Sequence, residues 1–590
     1  MIRPLLSLLL FLTFVLSAPG ELLVREPVLG FGGMFLPDRF NLVSVEVQNT
    51  GAQPFEGRIS LQDDGRGSGT VPYEQPLFLS PGASRWVQFY PFVSGYQRWS
   101  LSWKDKEGHG DSVPLRSDEN VKIGAPVTVI FNGPDSPRSQ QSRLRPFLEN
   151  LFPPAVAVTE GLHGVVLDHV PRWDTLRRQA FRDWVYRGGL LHLLPGLDGK
   201  YPEFSDELAP LNISNEKGNF GGGRIIRHAQ TRGEIEEQML ESDPALLSDG
   251  KGHMQGVSDL IVNRLSDITR PNIPWGLIYL LTIIYVVLIG PVFYLQRKRD
   301  YRVMLAAFAV TVALFAWLFT AVGRRGYGEK QIVHSVGFAE SLGGDRHVAT
   351  QWMHAFATSS DRYRFQFPGS GNAYAALANS GTVKARVMNG ADAAMEADIP
   401  LFSGRPFVHS GVLTGDDTSV EIVDWKTRTG QSPNDIESGR LESFRIKPNA
   451  KFPKAVESMD VLYGDRVYTM TATDGMWVAE SPSASKELAA SFSGKQLEHV
   501  GNYGGYNEGD ALAEPGSRLK KRLGDLDMLF KGQLTGAVAY TRQRITKPAM
   551  DADTARLFVY TRTPETFVVP GKNFQFGGGY ILYAQTLRRP

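Results

Sequence analysis

The residues best suited to chemistry are Asp168 and His169, adjacent at the end of the apolar run Gly164-Val165-Val166-Leu167. A carboxylate beside an imidazole can orient the ring and share a proton with it. At the carboxyl end of a strand, such a pair sits where open α/β sheets bind ligands. Asn132 closes an earlier apolar run, residues 126–131, and is expected near the same edge. Asn132, Asp168 and His169 are therefore the ligand-site candidates. His163 and His192 fall in the same region, but no His-x-x-x-His or Glu-rich spacing makes a metal set of them. Loop hydrogen bonding is the plainer role for Asp168 and His169.

Other motifs fail on their spacing. Asp135-Ser136-Pro137-Arg138-Ser139 begins like the metal loop of a von Willebrand A domain but lacks its Asp-x-Ser-x-Ser order. Gly221-Gly222-Gly223 and Gly577-Gly578-Gly579 lack the Lys-Ser/Thr of a phosphate loop and read as flexible turns. The 590 residues include no cysteine, which removes disulfides, thiolate metal sites and cysteine nucleophiles. A net charge of +1 with interleaved signs gives no basic face for nucleic acid. No catalytic residue, metal or cofactor is expected.

The elements that position the candidates lie in residues 123–268. After the run at 126–131, a polar helix-compatible segment reaches about Leu151, with Pro146 as its kink or start. Residues 155–158 read as a second strand and 164–169 as a third. Asp174 is a plausible helix N-cap. Leu176, Ala180, Phe181, Trp184 and Val185 then share one helix face, and Arg177, Arg178, Arg182, Asp183 and Arg187 a largely solvated one. Gly188-Gly189 stops that helix. Residues 190–194 and 224–227 continue as strands, and 257–268 as a helix. Strand, helix, strand at this spacing predicts a parallel α/β layer.

Two uncharged apolar runs follow, at about 275–295 and 303–322. Each has the ~20 residues that cross a bilayer core. The loop 296–302 between them carries Arg297, Lys298, Arg299 and Arg302, which orient it to the cytoplasm. Gly290-Pro291 is expected to bend the first helix or end its regular part. Residues 1–20 read as an export signal. Residues 21–122 alternate with period two (Val43, Val45, Val47; Ile59, Leu61; Trp99, Leu101, Trp103), as in an immunoglobulin-like β-sandwich. Residues 330–590 are β-rich again, with strands around Tyr363-Phe367, Val467-Thr469, 537–541, 557–560 and 580–583, a helix at 518–529, an exposed loop at 502–509, and a division near 430–450.

Asp174, Leu176, Trp184-Val185, Gly188-Gly189 and Leu191 together form a pattern that resembles class I glutamine amidotransferase-like domains of bacterial envelope proteins. With the hairpin and its Ile289-Gly290-Pro291-Val292, residues 20–370 resemble bacterial membrane proteins associated with MoxR-type ATPases and von Willebrand A-domain proteins. The resemblance implies an amidotransferase-like fold. Its chemistry would need a cysteine on a strand-to-helix elbow. The chain reads Asp168-His169-Val170 there, with neither cysteine nor a Gly-x-Ser-x-Gly.

The expectation is a multidomain α and β protein of the bacterial inner membrane, with its large domains outside. It is expected to be non-catalytic, an integral membrane scaffold for other envelope or membrane proteins. The alternatives are an envelope enzyme or small-ligand sensor working at the strand ends of the α/β domain, and an accessory subunit of a transport complex.

Overall fold

The computed structural model describes residues 22–25, 27–63, 71–93, 98–115, 122–123, 126–133, 144–240, 257–269, 275–295, 298, 300–327, 331–377, 384–390, 392–428, 440–464, 466–480, 486–487, 553–568 and 574–590. The export signal, Asp135-Ser136, Arg297, Arg299, the loop at 502–509, the helix at 518–529 and the strand at 537–541 lie outside the described residues. The architecture is mainly β, in several sheets, with few helices.

Before the hairpin come β1 (Val43–Asn49), β2 (Phe55–Asp63), β3 (Tyr73–Leu79), β4 (Ser84–Phe89), β5 (Trp99–Asp105) and β6 (Gly110–Leu115). Their alternation is the one read from the residues. Val43, Val45, Val47, Ile59, Leu61 and Leu101 are fully buried, while Glu46, Gln48, Arg58, Ser60 and Ser102 beside them are partly or largely exposed. The α/β layer follows as β7 (Val127–Asn132), β8 (Arg145–Leu148), β9 (Leu162–Leu167), α1 (Thr175–Tyr186), β10 (Leu190–Leu193), β11 (Lys217–Phe220) and β12 (Gly223–Arg227). Its sheet runs β8-β7-β9-β10-β12-β11, parallel except for the β11–β12 pair.

Asp174 caps α1, its Oδ1 accepting from the Arg177 amide at 2.9 Å. Gly188, at φ 123, ends the helix, and a Cβ on Gly189 would strike the Trp184 indole at 2.5 Å.

Two expectations fail in this layer. Residues 155–158 are not a strand: Val156–Val158 form a single 3-10 turn, entered from Pro153-Pro154, which lack the amides a ladder needs. The second strand is β8, at the sheet edge. Pro146 lies within it rather than in a helix, and an edge tolerates its missing donor.

Helix α2 (Val257–Thr269) precedes α3 (Trp275–Leu295) and α4 (Tyr301–Tyr327). The last two are long and apolar enough to cross a membrane, and the rest of the chain leaves them almost wholly uncovered. They touch through Tyr285–Phe315 and Phe293–Phe308, ring centroids 5.0 and 5.9 Å apart. Residues Leu288–Val292 of α3 widen into a π-helical turn around Gly290-Pro291, where the proline cannot donate to the helix ladder.

After α4 the chain enters β13 (Gln331–Ser341), β14 (Arg346–Ala357), β15 (Asp361–Phe365), β16 (Ala373–Ala376), β17 (Ala385–Met388), β18 (Ala394–Ile399) and β19 (Ser403–Thr414). Later strands include β20 (Val456–Tyr463), β21 (Arg466–Thr469), β22 (Thr554–Arg562) and β23 (Phe574–Arg588). A nine-stranded sheet takes β16-β19-β14-β13-β23-β22-β20-β21 and the short strand Lys486–Glu487. A four-stranded sheet forms from residues 420–480. In β21 Tyr468 is buried, as is Met470 just after it. Gly577-Gly578-Gly579 is not a turn. It lies inside β23, where Gly577 is the extra residue of a bulge opposite Val333 and His334 and Gly578 takes φ 117.

The regions before and after the hairpin are not separate bodies. Strand β3 pairs with β17 in parallel, Tyr73 opposite Val387, so one seven-stranded sheet runs β6-β5-β2-β3-β17-β18-β15. The nine-stranded sheet is covered on both faces. Ala349 and Met353 of β14 join a core with Val45, Ile59 and Leu101, while Val348 and Trp352 join Phe131, Val165 and Trp184. Helix α2 lies on the second face, where the Trp352 indole donates to Ser258 Oγ at 3.0 Å.

A buried ion cluster locks α1 to that sheet. Arg187, with its side chain fully covered, donates to Glu340 of β13 through Nε at 3.0 Å and also reaches Glu160. Arg556 of β22 donates to the other Glu340 oxygen at 2.7 Å. Arg187 therefore does not belong to a solvated face. Burial alone lowers its guanidinium, but Glu160 and Glu340 outweigh this and hold it above the usual range. Around it, Arg346 bonds Asp183 at 2.7 Å and Arg588 donates to the carbonyls of Gly221 and Gly223.

Glu340→Gln leaves two buried arginines undercompensated and is expected to cost about 3–5 kcal/mol, measured by denaturant unfolding of the detergent-solubilised protein. Hydrogen exchange should rise together in β9 and β13. Exchange rising in one of them alone would show that the layers unfold independently.

Candidate functional site

The order β8-β7-β9-β10 reverses direction between β7 and β9, the switch point at which ligands enter such sheets. Asn132 ends β7, and Asp168 is the first residue past β9. The parallel register, Ile130 opposite Val166, brings the two side by side. His163, by contrast, is near the start of β9, and His192 of β10 pairs with His228, Nδ1 to Nε2 at 2.9 Å.

The crevice is occupied by the protein itself. Arg232 arrives from the loop after β12 and is 5% exposed. Its Nη1 donates to Asn132 Oδ1 at 2.7 Å, its Nε to Asp168 Oδ2 at 2.6 Å, and its Nη2 to Asp168 Oδ1 at 3.1 Å and to the Phe131 carbonyl. The guanidinium fork thus bridges the two strand ends that a ligand would have to separate.

His169 is held from both sides. Nδ1 lies 2.6 Å from Asp168 Oδ1 and Nε2 2.7 Å from Glu149 Oε2. Glu149 is buried at the end of β8, and its carbonyl accepts from the Trp173 indole at 2.8 Å. Burial alone lowers the imidazole, but Asp168 and Glu149 outweigh it and raise it to about 9. Burial alone raises the Asp168 carboxyl, but His169 and Arg232 outweigh it and hold it well below the usual carboxylate range. At neutral pH both ring nitrogens therefore donate. Such an imidazolium offers no lone pair to a metal or to a proton in transit. The three candidate residues do come together, with Arg232 and Glu149 completing a closed network of charges. Neither partner has a local sequence signal: Arg232 lies 64 residues from Asp168, and Glu149 lies 20 from His169.

Elsewhere, Asp105, Glu107 and His109 cluster at the exposed β5–β6 turn. The turn itself accounts for the cluster, since Asp105 Oδ1 accepts from the Glu107 and His109 amides at 2.9 and 2.8 Å. Among the hairpin-loop cations, Lys298 and Arg302 are exposed.

No protein-family model and no curated protein matches the chain. Solved structures match faintly. A β-glucosidase involved in saponin metabolism from intestinal bacteria is 13% identical over 16% of this chain and 16% of its own, with a TM-score of 0.12. A CARDB domain from Pyrococcus furiosus in complex with di-metal ions is 15% identical over 19% of this chain and 95% of its own, TM-score 0.13. A Paenibacillus cycloisomaltooligosaccharide glucanotransferase is 8% identical over 79% of this chain and 98% of its own, TM-score 0.15. Likenesses this low carry no weight for fold or chemistry.

Arg232→Ala is expected to destabilise the protein by roughly 3 kcal/mol, because Asp168 and Asn132 lose a buried partner. Arg232→Lys should recover less than half of that, since a point charge cannot bridge both strand ends. The measurement is the unfolding midpoint of each variant.

The raised His169 value also sets a pH dependence. The stabilisation is complete below the ordinary histidine value of 6.5 and is lost as pH rises through about 9. Stability should therefore fall by about 3 kcal/mol across that window, and His169→Gln should flatten the slope. An unchanged slope in His169→Gln would mean that another group titrates.

Proposed function

We propose that the chain is a non-catalytic, membrane-anchored protein of the bacterial envelope, and that its extracytoplasmic body is a protein-interaction scaffold. The observation that carries this reading is the Arg232 guanidinium in the switch-point crevice. A crevice bridged by the protein's own fork, beside an imidazolium clamped by two carboxylates, suits structural support. An enzyme or small-ligand sensor working there would have to break several charge-assisted bonds before binding anything.

The anchor rests on the two apolar helices. Leu280, Ile283, Val286, Val310 and Leu314 are 50–66% exposed, and that surface needs an apolar solvent. The exposed Lys298 and Arg302 suit a cytoplasmic loop. Because β3 and β17 share a sheet, the flanking regions belong on one side of the membrane, as an even number of spans requires. The α/β layer fits the amidotransferase-like resemblance as a scaffold without its chemistry. The strands before the hairpin fit a sandwich completed by later strands.

The test is recovery of the intact chain from membranes. It should stay with the membrane through an alkaline carbonate wash and leave only with detergent. His169→Gln should retain the same co-purifying chains as the unaltered protein. Loss of those chains from a variant that is still folded under the purification conditions would place function in the crevice and sink the scaffold reading.

A further inference from the structure

The two apolar helices do not close on each other at their loop end. A cleft of about 450 Å³ lies there, walled by Ile289, Gly290 and Phe293 of α3 and by Met304, Leu305 and Phe308 of α4. The sequence explains the opening. Gly290 has no side chain, and a Cβ placed on it would meet no atom of the described residues within 4 Å. Pro291 cannot donate to the helix ladder, and the turn Leu288–Val292 widens around it. The two walls join where Phe293 meets Phe308 edge to face, ring centroids 5.9 Å apart. Along α4 the cleft runs from Tyr301 to Phe308. That is about 10 Å at the helical rise, or roughly a third of a bilayer core.

The mouth of this cleft is basic. Arg302 follows Tyr301, which lines the cleft, and Lys298 belongs to the loop before it; both cations are exposed. The loop as a whole sets four cations, Arg297, Lys298, Arg299 and Arg302, against one carboxylate, Asp300. Asp300 is engaged with the start of α4, where its Oδ1 accepts from the Arg302 amide at 3.1 Å and its carbonyl from the Met304 amide at 3.1 Å. The charge offered to a ligand is therefore that of the Lys298 and Arg302 side chains.

We infer that the cleft holds one anionic phospholipid of the phosphatidylglycerol kind, from the leaflet that the loop faces, with an acyl chain between the helices and its phosphate beside Lys298 and Arg302. The inference rests on the membrane-anchor reading. Lipid tails are as apolar as the cleft walls, so burying the chain there selects nothing. Selection comes from the headgroup, through the attraction of cations near the membrane surface for an anionic phosphate. A phosphatidylcholine supplies the same chains, but its own ammonium offsets its phosphate. An apolar helix of a partner would fill the cleft and leave the two cations without a counter-charge.

The test is native mass spectrometry of the full detergent-solubilised chain after incubation with equal amounts of phosphatidylglycerol and phosphatidylcholine carrying the same acyl chains. One phosphatidylglycerol should stay bound per chain, with at least a fivefold preference over phosphatidylcholine. Replacing both Lys298→Gln and Arg302→Gln should bring that preference below twofold. Gly290→Leu puts a side chain into the cleft, so it should keep the unfolding midpoint and lower phosphatidylglycerol retention at least threefold. Equal retention of the two lipids by the unaltered chain overturns the site and leaves the anchor standing. Unchanged retention in Gly290→Leu shows the lipid held by the loop charges alone and overturns the cleft. Dimers of the unaltered chain that Gly290→Leu dissociates make a second copy the occupant and overturn the lipid. Recovery of the chain in the soluble fraction of lysed cells without detergent overturns the anchor, and the site with it.

Discussion

The structure depends on one buried carboxylate. Glu340 lies between Arg187, which ends the helix of the α/β layer, and Arg556, from a strand far beyond the hairpin. Isolated in low dielectric, any of these charges costs several kcal/mol, and only mutual pairing makes them tolerable. Burial lowers the Arg556 guanidinium, whereas Glu160 and Glu340 outweigh burial at Arg187. The cluster therefore specifies a partner more than it adds stability: the α/β layer can dock only on the sheet that supplies Glu340. That docking covers Val336, Trp352 and Leu582 on one face, while the amino-terminal strands cover the other.

From this follows the relation of the hairpin to the rest. Residues on either side of it share a sheet through Tyr73 and Val387, and share two cores. The hairpin interrupts the sequence but not the fold. In the proposed account it is a two-legged tether, and what crosses the bilayer is helix packing at Tyr285–Phe315 and Phe293–Phe308 rather than charge.

Local features were legible in the residues. Strand alternation at Val43–Val47, the Asp174 cap, the Gly188-Gly189 stop and the two apolar helices each depend on neighbours within a few positions. So does the pairing of Asp168 with His169. What could not be read was long-range. Arg232 carries no motif and is defined by the two strand ends it bridges. Arg187 has the helical phase of a solvated arginine, and only the sheet packed over it makes it buried. The parallel pairing of β3 with β17 joins segments that precede and follow the two apolar helices in the chain, so composition and spacing divided the chain where the fold does not. Two further differences concern short stretches, the first with a local cause and the second with a tertiary one. Pro153-Pro154 turned an apolar run into a 3-10 turn, and a glycine triplet served a bulge inside a strand.

The most direct measurement of the account is the sidedness of the two flanking regions. Single cysteines at Glu107, Lys298 and Lys454, all exposed, can be probed in right-side-out spheroplasts with a membrane-impermeant maleimide. Positions 107 and 454 should both label in intact spheroplasts, and 298 only after lysis. Labelling of 107 without 454, or of 454 without 107, would put the shared sheet on two sides of a membrane and contradict the account.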